Sequence, residues 1–149
     1  SIEVLCKKIP AFGNTQTVST NFMERHVPYE QIRMRPCDFV VKYRFLTKDE
    51  GGRQTGLPIQ GIRSDFMYFG DNPKTDRIYM IHPEFLDKFD NAITEKTVVP
   101  ESGKALMWII NPDFNDYHKT RLMIGTKGYF MEGPRITAEC EVIELIGLK

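Results

Sequence analysis

The chain has 149 residues, and its 20 lysine and arginine side chains balance 20 aspartate and glutamate side chains, so the formal net charge is zero. This length fits one domain, and a composition of 41% hydrophobic and 11% aromatic residues supplies a core. The charge balance excludes binding to nucleic acid through an overall basic excess, so any basic surface must be local. No apolar run approaches the roughly 20 residues that a membrane-spanning helix needs, and no membrane contact is expected.

The three cysteines, Cys6, Cys37 and Cys140, are far apart in sequence and form no CxxC pair. An odd and scattered set of cysteines indicates reduced thiols rather than a framework of disulfides. The first ten residues also lack the basic-then-apolar order of a signal peptide. These features predict a cytoplasmic protein.

Residues 1–36 are predicted to form an N-terminal extension that packs on, or docks beside, a β-domain formed by residues 37–149. Within the extension, a strand pattern covers residues 2–9 and a helical pattern lies within residues 21–34. Pro28 limits this helix to a short piece, because proline disrupts a helix interior.

The clearest strand pattern covers residues 39–46, where apolar and polar side chains alternate with period 2. The alternation places Tyr43 and Phe45 on one face of the strand, and Lys42 and Arg44 on the other. Further strand patterns, separated by turn residues, cover residues 62–69, 77–82, 105–110, 120–124, 128–131 and 136–145. Many short strands of this kind predict an all-β barrel or sandwich.

Two details of the middle of the chain are also predicted. In the strand pattern at residues 77–82, Ile78, Met80 and His82 share one side. The apolar side chains of residues 83–92 recur at helical spacing, which predicts one short helix there.

Three ordered blocks of residues combine turn and strand motifs. The first block contains Glu50-Gly51-Gly52-Arg53-Gln54-Thr55, followed by Gly61-Ile62-Arg63 and the aromatic strand Phe66-Met67-Tyr68-Phe69. The second contains Val99-Pro100 and Ser102-Gly103 before a strand, and Asn111-Pro112 after it. The third is Glu132-Gly133-Pro134-Arg135, before the last strand. In this order the blocks resemble the C-terminal barrel of bacterial elongation factor Tu. The resemblance covers roughly residues 38–146 and implies a six-stranded, antiparallel, closed β-barrel of the elongation factor's third-domain type.

In that family, the resemblance implies, the barrel helps to hold the acceptor and T arms of aminoacyl-tRNA, and it contacts the GTPase domain and the exchange factor. The family's RNA-facing positions correspond here to Arg53, Gln54, Gly133 and Arg135. The remaining motif residues are turn residues, where glycine adopts positive φ and proline fixes φ. These structural turn positions are Gly51, Gly52, Gly61 and Pro134.

The sequence carries no motif of an enzyme. There is no GxxxxGK[ST] loop for nucleotide phosphates, no GxSxG elbow, and no HExxH metal motif among the three dispersed histidines. We therefore expect no bound nucleotide, metal or other cofactor, and no catalytic residue. An unrecognised hydrolase is kept as a remote alternative.

Basic residues are concentrated between residues 33 and 63, where seven of them stand against three acidic residues. One hypothesis is a module that binds a protein partner, with residues 1–36 and the acidic segment 84–101 making contacts. The alternative is binding to tRNA or another structured RNA, since such a patch can hold phosphates. The candidate binding residues are Lys42, Arg44, Arg53, Gln54, Arg63, Gly133 and Arg135.

Overall fold

The computed structural model describes residues 25–148, most of which build one six-stranded antiparallel sheet. Its strands are β1 (Phe39–Phe45), β2 (Asp65–Tyr68), β3 (Ile81–Phe85), β4 (Ser102–Ile109), β5 (Lys127–Glu132) and β6 (Arg135–Leu145). Two short α-helices, α1 (Tyr29–Arg33) and α2 (Asn115–Arg121), and the 3₁₀ turn Pro112–Phe114 complete the described elements. Across the sheet, the strands follow the order β2-β5-β6-β1-β4-β3. The prediction of a mostly β domain with six antiparallel strands is confirmed.

Strand β1 lies at the centre of the sheet, between β4 and β6. Its alternation has the predicted effect, because Tyr43 and Phe45 are buried whereas Lys42 is exposed and Arg44 is half-buried. The inward side chains meet those of the other strands in one aromatic core. Within it, the ring of Phe85 lies 5.1 Å from Tyr43 and 6.2 Å from Phe130, in edge-to-face arrangements.

The sheet curls into a half barrel, and the prediction of a closed barrel is wrong. Of its two edge strands, β2 is joined to the segment just before β3 by one isolated bridge, in which Phe66 and Tyr79 exchange backbone hydrogen bonds of 2.8 Å. Strand β2 has only four residues, so it is too short to carry a continuous ladder to β3. The opening between the two edges, which we call the seam, is covered by α2, where His118 contacts Tyr68.

The predicted helix at residues 83–92 is also wrong, since β3 takes its first three residues. Proline is tolerated at Pro83 because β3 is an edge strand of the sheet. After β3, the carboxylate of Asp87 accepts hydrogen bonds from the backbone N–H groups of Phe89 and Asn91, at 2.8 and 3.1 Å. This local turn competes with a helix for the same backbone groups.

The predicted set of Ile78, Met80 and His82 falls on the less buried side of residues 77–82. Tyr79 and Ile81 are buried, whereas Met80 is 52% exposed. Because side chains alternate strictly along a strand, a shift of one residue exchanges the two faces. Both faces of this segment carry apolar side chains, so the pattern alone does not decide between them.

Residues 120–124 were predicted as a strand, and the structure places the end of α2 there instead. The side chain of Asn111 accepts a hydrogen bond from the Asp113 backbone N–H at 3.0 Å, which starts the helical turn of residues 112–114.

Among the residues that the structure describes, no helix is long and apolar enough to cross a membrane.

Residues 25–36 lie against the outer face of β3 and β4. Glu84, which is 1% exposed, pairs with the imidazole of His26 and accepts a hydrogen bond from the Tyr29 backbone N–H at 2.9 Å. The Tyr29 ring also packs edge-on against Trp108, with ring centroids 5.8 Å apart. The strand predicted at residues 2–9 lies outside the described residues.

Candidate functional site

A groove of about 510 Å³ crosses the outer face of the sheet over β4, β1, β6 and β5. We call it the outer groove. The side chains along its two walls include Lys42, Arg44, Phe69, Lys127, Tyr129, Glu139 and Glu141. Two residues predicted from the sequence, Lys42 and Arg44, are therefore brought together with residues from three other parts of the chain.

The floor of the outer groove is backbone. Tyr43 pairs with Gly103 on one side and with Cys140 on the other, and Cys140 pairs with Gly128, so these four residues form one row across the sheet. Tyr43 and Cys140 point into the core, and the two glycines have no side chain. A Cβ atom on Gly128 would lie 2.6 Å from Cε2 of Phe66, which shows how closely the core packs below the floor.

One wall of the groove is rich in lysine. The strand registers align Lys104 with Lys42, Lys42 with Glu141, and Glu141 with Lys127. The Nζ of Lys42 lies 3.9 Å from Oε1 of Glu141, and the Nζ of Lys104 lies 3.3 Å from Oδ2 of Asp90. Lys127 makes no ion pair with any other described residue. This row, which we call the lysine wall, has three cations, with Glu141 between Lys42 and Lys127 and Asp90 paired with Lys104, which lies outside the groove lining.

The opposite wall has balanced charge. The guanidinium of Arg44 donates to Oε1 of Glu139 at 3.1 Å and to both carboxylate oxygens of Glu50 at 2.9 and 3.1 Å. The hydrogen bonds from Arg44, together with one from the Thr47 backbone, lower the pKa of Glu50 to about 2. The hydrogen bonds that Arg44 donates to Glu50 and Glu139 raise the pKa of Arg44. Arg44 is thus already held by two carboxylates.

An aromatic pair closes the groove at the β5 end. Phe69 follows β2 and is 62% exposed, and its ring centroid lies 6.1 Å from that of Tyr129. The backbone N–H of Phe69 donates to the Lys127 carbonyl at 3.0 Å, which places the exposed ring beside the end of the lysine wall. An apolar side chain of a ligand would find its contact here.

The other predicted binding residues form a separate cluster around two turns. Arg135 donates to the carbonyls of Gly51 and Gly52, both at 3.2 Å. Gln54 donates to the Gly52 carbonyl at 2.9 Å. Arg53 donates to the Gly56 carbonyl at 2.7 Å and pairs with Glu132 at 2.5 Å. These side chains therefore stabilise the backbone of residues 51–56. Arg63 lies apart from them, exposed and without an ion pair to any described residue.

Positive φ occurs at two of the predicted turn glycines, at 88° for Gly51 and 95° for Gly61, and also at Gly133, at 57°. Gly133 and Pro134 form the two-residue connection of the β5–β6 hairpin, where Glu132 pairs with Arg135. The Gly51–Gly52 turn does not join two paired strands, because β1 pairs with β4 and β6 and not with β2.

The sequence did not single out Phe69, Lys127, Tyr129, Glu139 or Glu141 as binding residues. They come from the end of β2 and from the β5–β6 hairpin, and only the register of β5, β6 and β1 aligns them with Lys42 and Arg44. The alternation of β6 predicts which of its side chains point outward, but it does not predict which residues of β1 and β5 lie beside them.

The described residues offer little for catalysis. Burial raises the pKa of the Cys37 thiol to about 12 and also raises that of Cys140, so neither sulfur is a ready nucleophile. Within residues 25–148, no group of three or more histidine, cysteine, aspartate or glutamate side chains is placed to hold a metal ion. Comparison with models of protein families and with curated proteins found no match to this chain.

Proposed function

We propose that this chain is a non-catalytic protein-binding module whose outer groove takes an acidic segment of a partner protein. The observation that carries the proposal is the lysine wall of Lys42, Lys104 and Lys127 beside the exposed ring of Phe69. Residues 25–36 lie against the same outer face at β3 and β4, but none of them lines the groove, so a partner chain can reach it directly.

The charge of the lysine wall selects the sign of the ligand. Three ammonium groups in one row, with only Glu141 between them, attract carboxylates of a partner. Such surface charges act mainly on the rate of association and on specificity, and salt weakens them. We expect the affinity for an acidic segment to fall as ionic strength rises.

The aromatic pair Phe69 and Tyr129 would add a hydrophobic contribution to the binding energy. Aromatic side chains are enriched at protein interfaces, where a few anchors account for most of the affinity. Covering the exposed ring of Phe69 and the neighbouring edge of Tyr129 removes apolar surface from water at about 25 cal/mol per Å². A partner segment with carboxylates followed by an apolar or aromatic side chain would use both features.

Binding to RNA has less support in this geometry. Arg44 is already paired with two carboxylates, Glu50 and Glu139, whereas RNA binding needs several cations free for its phosphates. The guanidinium groups of Arg53 and Arg135, which the resemblance assigns to RNA, donate instead to backbone carbonyls, Arg53 to Gly56 and Arg135 to Gly51 and Gly52. RNA is therefore the second candidate, and the experiment below includes it.

We also propose kinship with the third domain of elongation factor Tu, in an open form. Two features support it. The sheet has the expected six antiparallel strands, and Arg135 in the third block of the resemblance binds the Gly51 and Gly52 carbonyls in the first block. The residues that carry the resemblance are thus neighbours in space, and they support the turns of the sheet.

Selection of peptides from a random display library on the immobilised protein tests the proposed ligand. We expect the enriched peptides to be acidic with an apolar or aromatic side chain. Fluorescence anisotropy with one selected peptide should show weaker binding for the double variant Lys42→Glu/Lys127→Glu and for Phe69→Ala. The matched control Lys74→Glu, an exposed lysine in the turn after β2, should leave the affinity unchanged.

Bulk tRNA is the competing ligand in the same measurement. Tight tRNA binding at about 50 mM salt that is lost at about 200 mM salt, with no enrichment of acidic peptides, would favour the RNA candidate. Enrichment of basic peptides, or equal binding by the lysine variants, would also contradict the proposal.

A further inference from the structure

A second pocket, of about 310 Å³, lies beside the seam, between residues 77–80, the end of β4 and the segment of the 3₁₀ turn and α2. We call it the seam pocket. Its wall includes Arg77, Tyr79, Ile109, Asn111, Phe114 and His118. It shares no lining residue with the outer groove, and its volume is at the small end of the range for sites that bind small molecules.

His118 is the feature that points to a ligand. Its side chain is fully buried, its Nδ1 lies 2.7 Å from the hydroxyl of Tyr68, and its Nε2 has no hydrogen-bond partner among the described residues. Burial lowers the pKa of His118 to about 4, so the imidazole is neutral at pH 7.

The protons of this pair can be assigned from its surroundings. The Tyr68 hydroxyl has no other hydrogen-bond partner in the described part of the chain, and burial raises its pKa, so it keeps its proton and donates it to Nδ1. A neutral imidazole that accepts at Nδ1 carries its own proton on Nε2. The wall of the seam pocket therefore contains a buried N–H group without an acceptor, which is costly unless an acceptor is supplied.

A cation lies in the same wall. Arg77 is exposed, makes no ion pair within residues 25–148, and stacks over Phe114 with its Cζ 5.0 Å from the ring centroid. A guanidinium held in this way presents its N–H groups to an anion, and it binds carboxylates in a planar, two-point geometry.

The remaining wall is apolar and aromatic. The ring of Tyr79 lies 5.6 Å from Phe114 and 4.6 Å from His118, both in edge-on arrangements, and Ile109 is buried beside them. Rings arranged in this way accept a further planar ring by edge or offset contacts.

We propose that the seam pocket binds a small aromatic carboxylate, whose ring contacts Tyr79 and Phe114 while its oxygens accept hydrogen bonds from His118 Nε2 and Arg77. The site is independent of the outer groove, so this inference does not rest on the proposed protein-binding function. It assigns a ligand to a pocket beside the seam, which is the opening that distinguishes this sheet from a closed barrel.

Benzoate is the probe for this site, with benzyl alcohol and benzylamine as neutral and cationic ligands of similar size. Nitrogen-15 NMR of the histidine side chains at pH 7 reports directly on Nε2 of His118. We expect benzoate to shift the His118 Nε2 resonance, benzyl alcohol to bind about tenfold more weakly, and benzylamine not to bind, since one charge-assisted hydrogen bond contributes about a factor of ten or more.

Variants distinguish benzoate binding in the seam pocket from non-specific binding elsewhere on the protein. Arg77→Gln should weaken benzoate binding about tenfold, whereas the matched control Arg63→Gln, which removes an exposed arginine outside the pocket, should leave it unchanged. His118→Phe should also weaken binding about tenfold, because it keeps a ring in the wall and removes the donor. If His118→Phe fails to fold, the wild-type resonance and Arg77→Gln still decide.

The proposal is overturned by any of three results. These are no shift of the His118 resonance up to about 10 mM benzoate, equal binding of benzoate and benzylamine, or equal binding by the wild type and Arg77→Gln.

Discussion

The buried carboxylate of Glu84 accepts a hydrogen bond from the indole Nε1 of Trp108 at 3.3 Å, on the outer face of β3 and β4. Its other oxygen pairs with His26 and accepts from the Tyr29 backbone N–H. One charged side chain thus joins residues 25–36 to two strands of the sheet. A buried carboxylate with three partners is stable as a unit, but each partner depends on the others.

Replacing Glu84 should destabilise the fold strongly. Glu84→Ala leaves the Trp108 and Tyr29 N–H groups without an acceptor and His26 without its partner, so we expect a loss of about 3–5 kcal/mol in the free energy of unfolding. Glu84→Gln keeps an acceptor oxygen and should lose about 1–3 kcal/mol. Urea denaturation measures both values, with exposed Glu101→Ala as the control, expected within about 0.5 kcal/mol of the wild type.

The same variants should release residues 25–36. In Glu84→Ala, we expect faster trypsin cleavage after Arg33 than in the wild type under native conditions, because cleavage requires this segment to leave the sheet. Equal cleavage rates in Glu84→Ala and Glu101→Ala would show that other contacts hold the segment.

The two glycines in the floor of the outer groove should differ in their tolerance of a methyl group. A Cβ atom on Gly128 would lie 2.6 Å from Cε2 of Phe66 and 3.0 Å from the Met67 carbonyl oxygen, so Gly128→Ala must displace a core ring or backbone. The nearest atoms to a Cβ atom on Gly103 are those of the Tyr43 side chain, with its hydroxyl at 3.5 Å, an ordinary contact. We expect Gly128→Ala to cost about 1–3 kcal/mol, and Gly103→Ala to cost clearly less, in urea denaturation. Equal losses would contradict the close packing of Phe66 below β5.

Local alternation was sufficient to predict β1 and β6, because each has one face in the core and one in solvent. It was not sufficient for Tyr79 and Ile81, whose neighbours on the other face are also apolar. The sequence pattern did not predict the open seam either. The seam depends on the four-residue length of β2, which is set by where the chain leaves the sheet. Only pairings across the sheet bring Lys42 to Lys104 and Glu141 to Lys127, so the outer groove was predicted in part, through Lys42 and Arg44.

The pair of Arg44 and Glu50 should make stability depend on pH in acid. The pKa of Glu50 is lowered from its ordinary value of 4.5 to about 2, chiefly by the hydrogen bonds from Arg44. A carboxylate with a lowered pKa in the folded state stabilises that state above pH 4.5, and the contribution is lost as the pH falls towards 2. The free energy of unfolding of Glu50→Gln should therefore approach that of the wild type over this interval. Because the pair is exposed, high salt should reduce the difference at neutral pH, and a difference that grows on acidification would contradict the assignment.

Buried His118 should act on stability in a higher pH range. Its pKa is lowered from 6.5 to about 4, chiefly by burial, so the unfolded chain takes up a proton before the folded one does. Above pH 6.5 the imidazole is neutral in both states and contributes no pH dependence. Between pH 6.5 and 4 the free energy of unfolding should fall with decreasing pH, by about 3 kcal/mol in total, at 1.36 kcal/mol per pKa unit. Urea denaturation of the wild type and His118→Phe across this interval isolates the contribution, because the other groups titrate in both proteins. The variant should lose less stability on acidification than the wild type, and parallel pH profiles would show that His118 becomes protonated in the folded state as readily as in the unfolded chain.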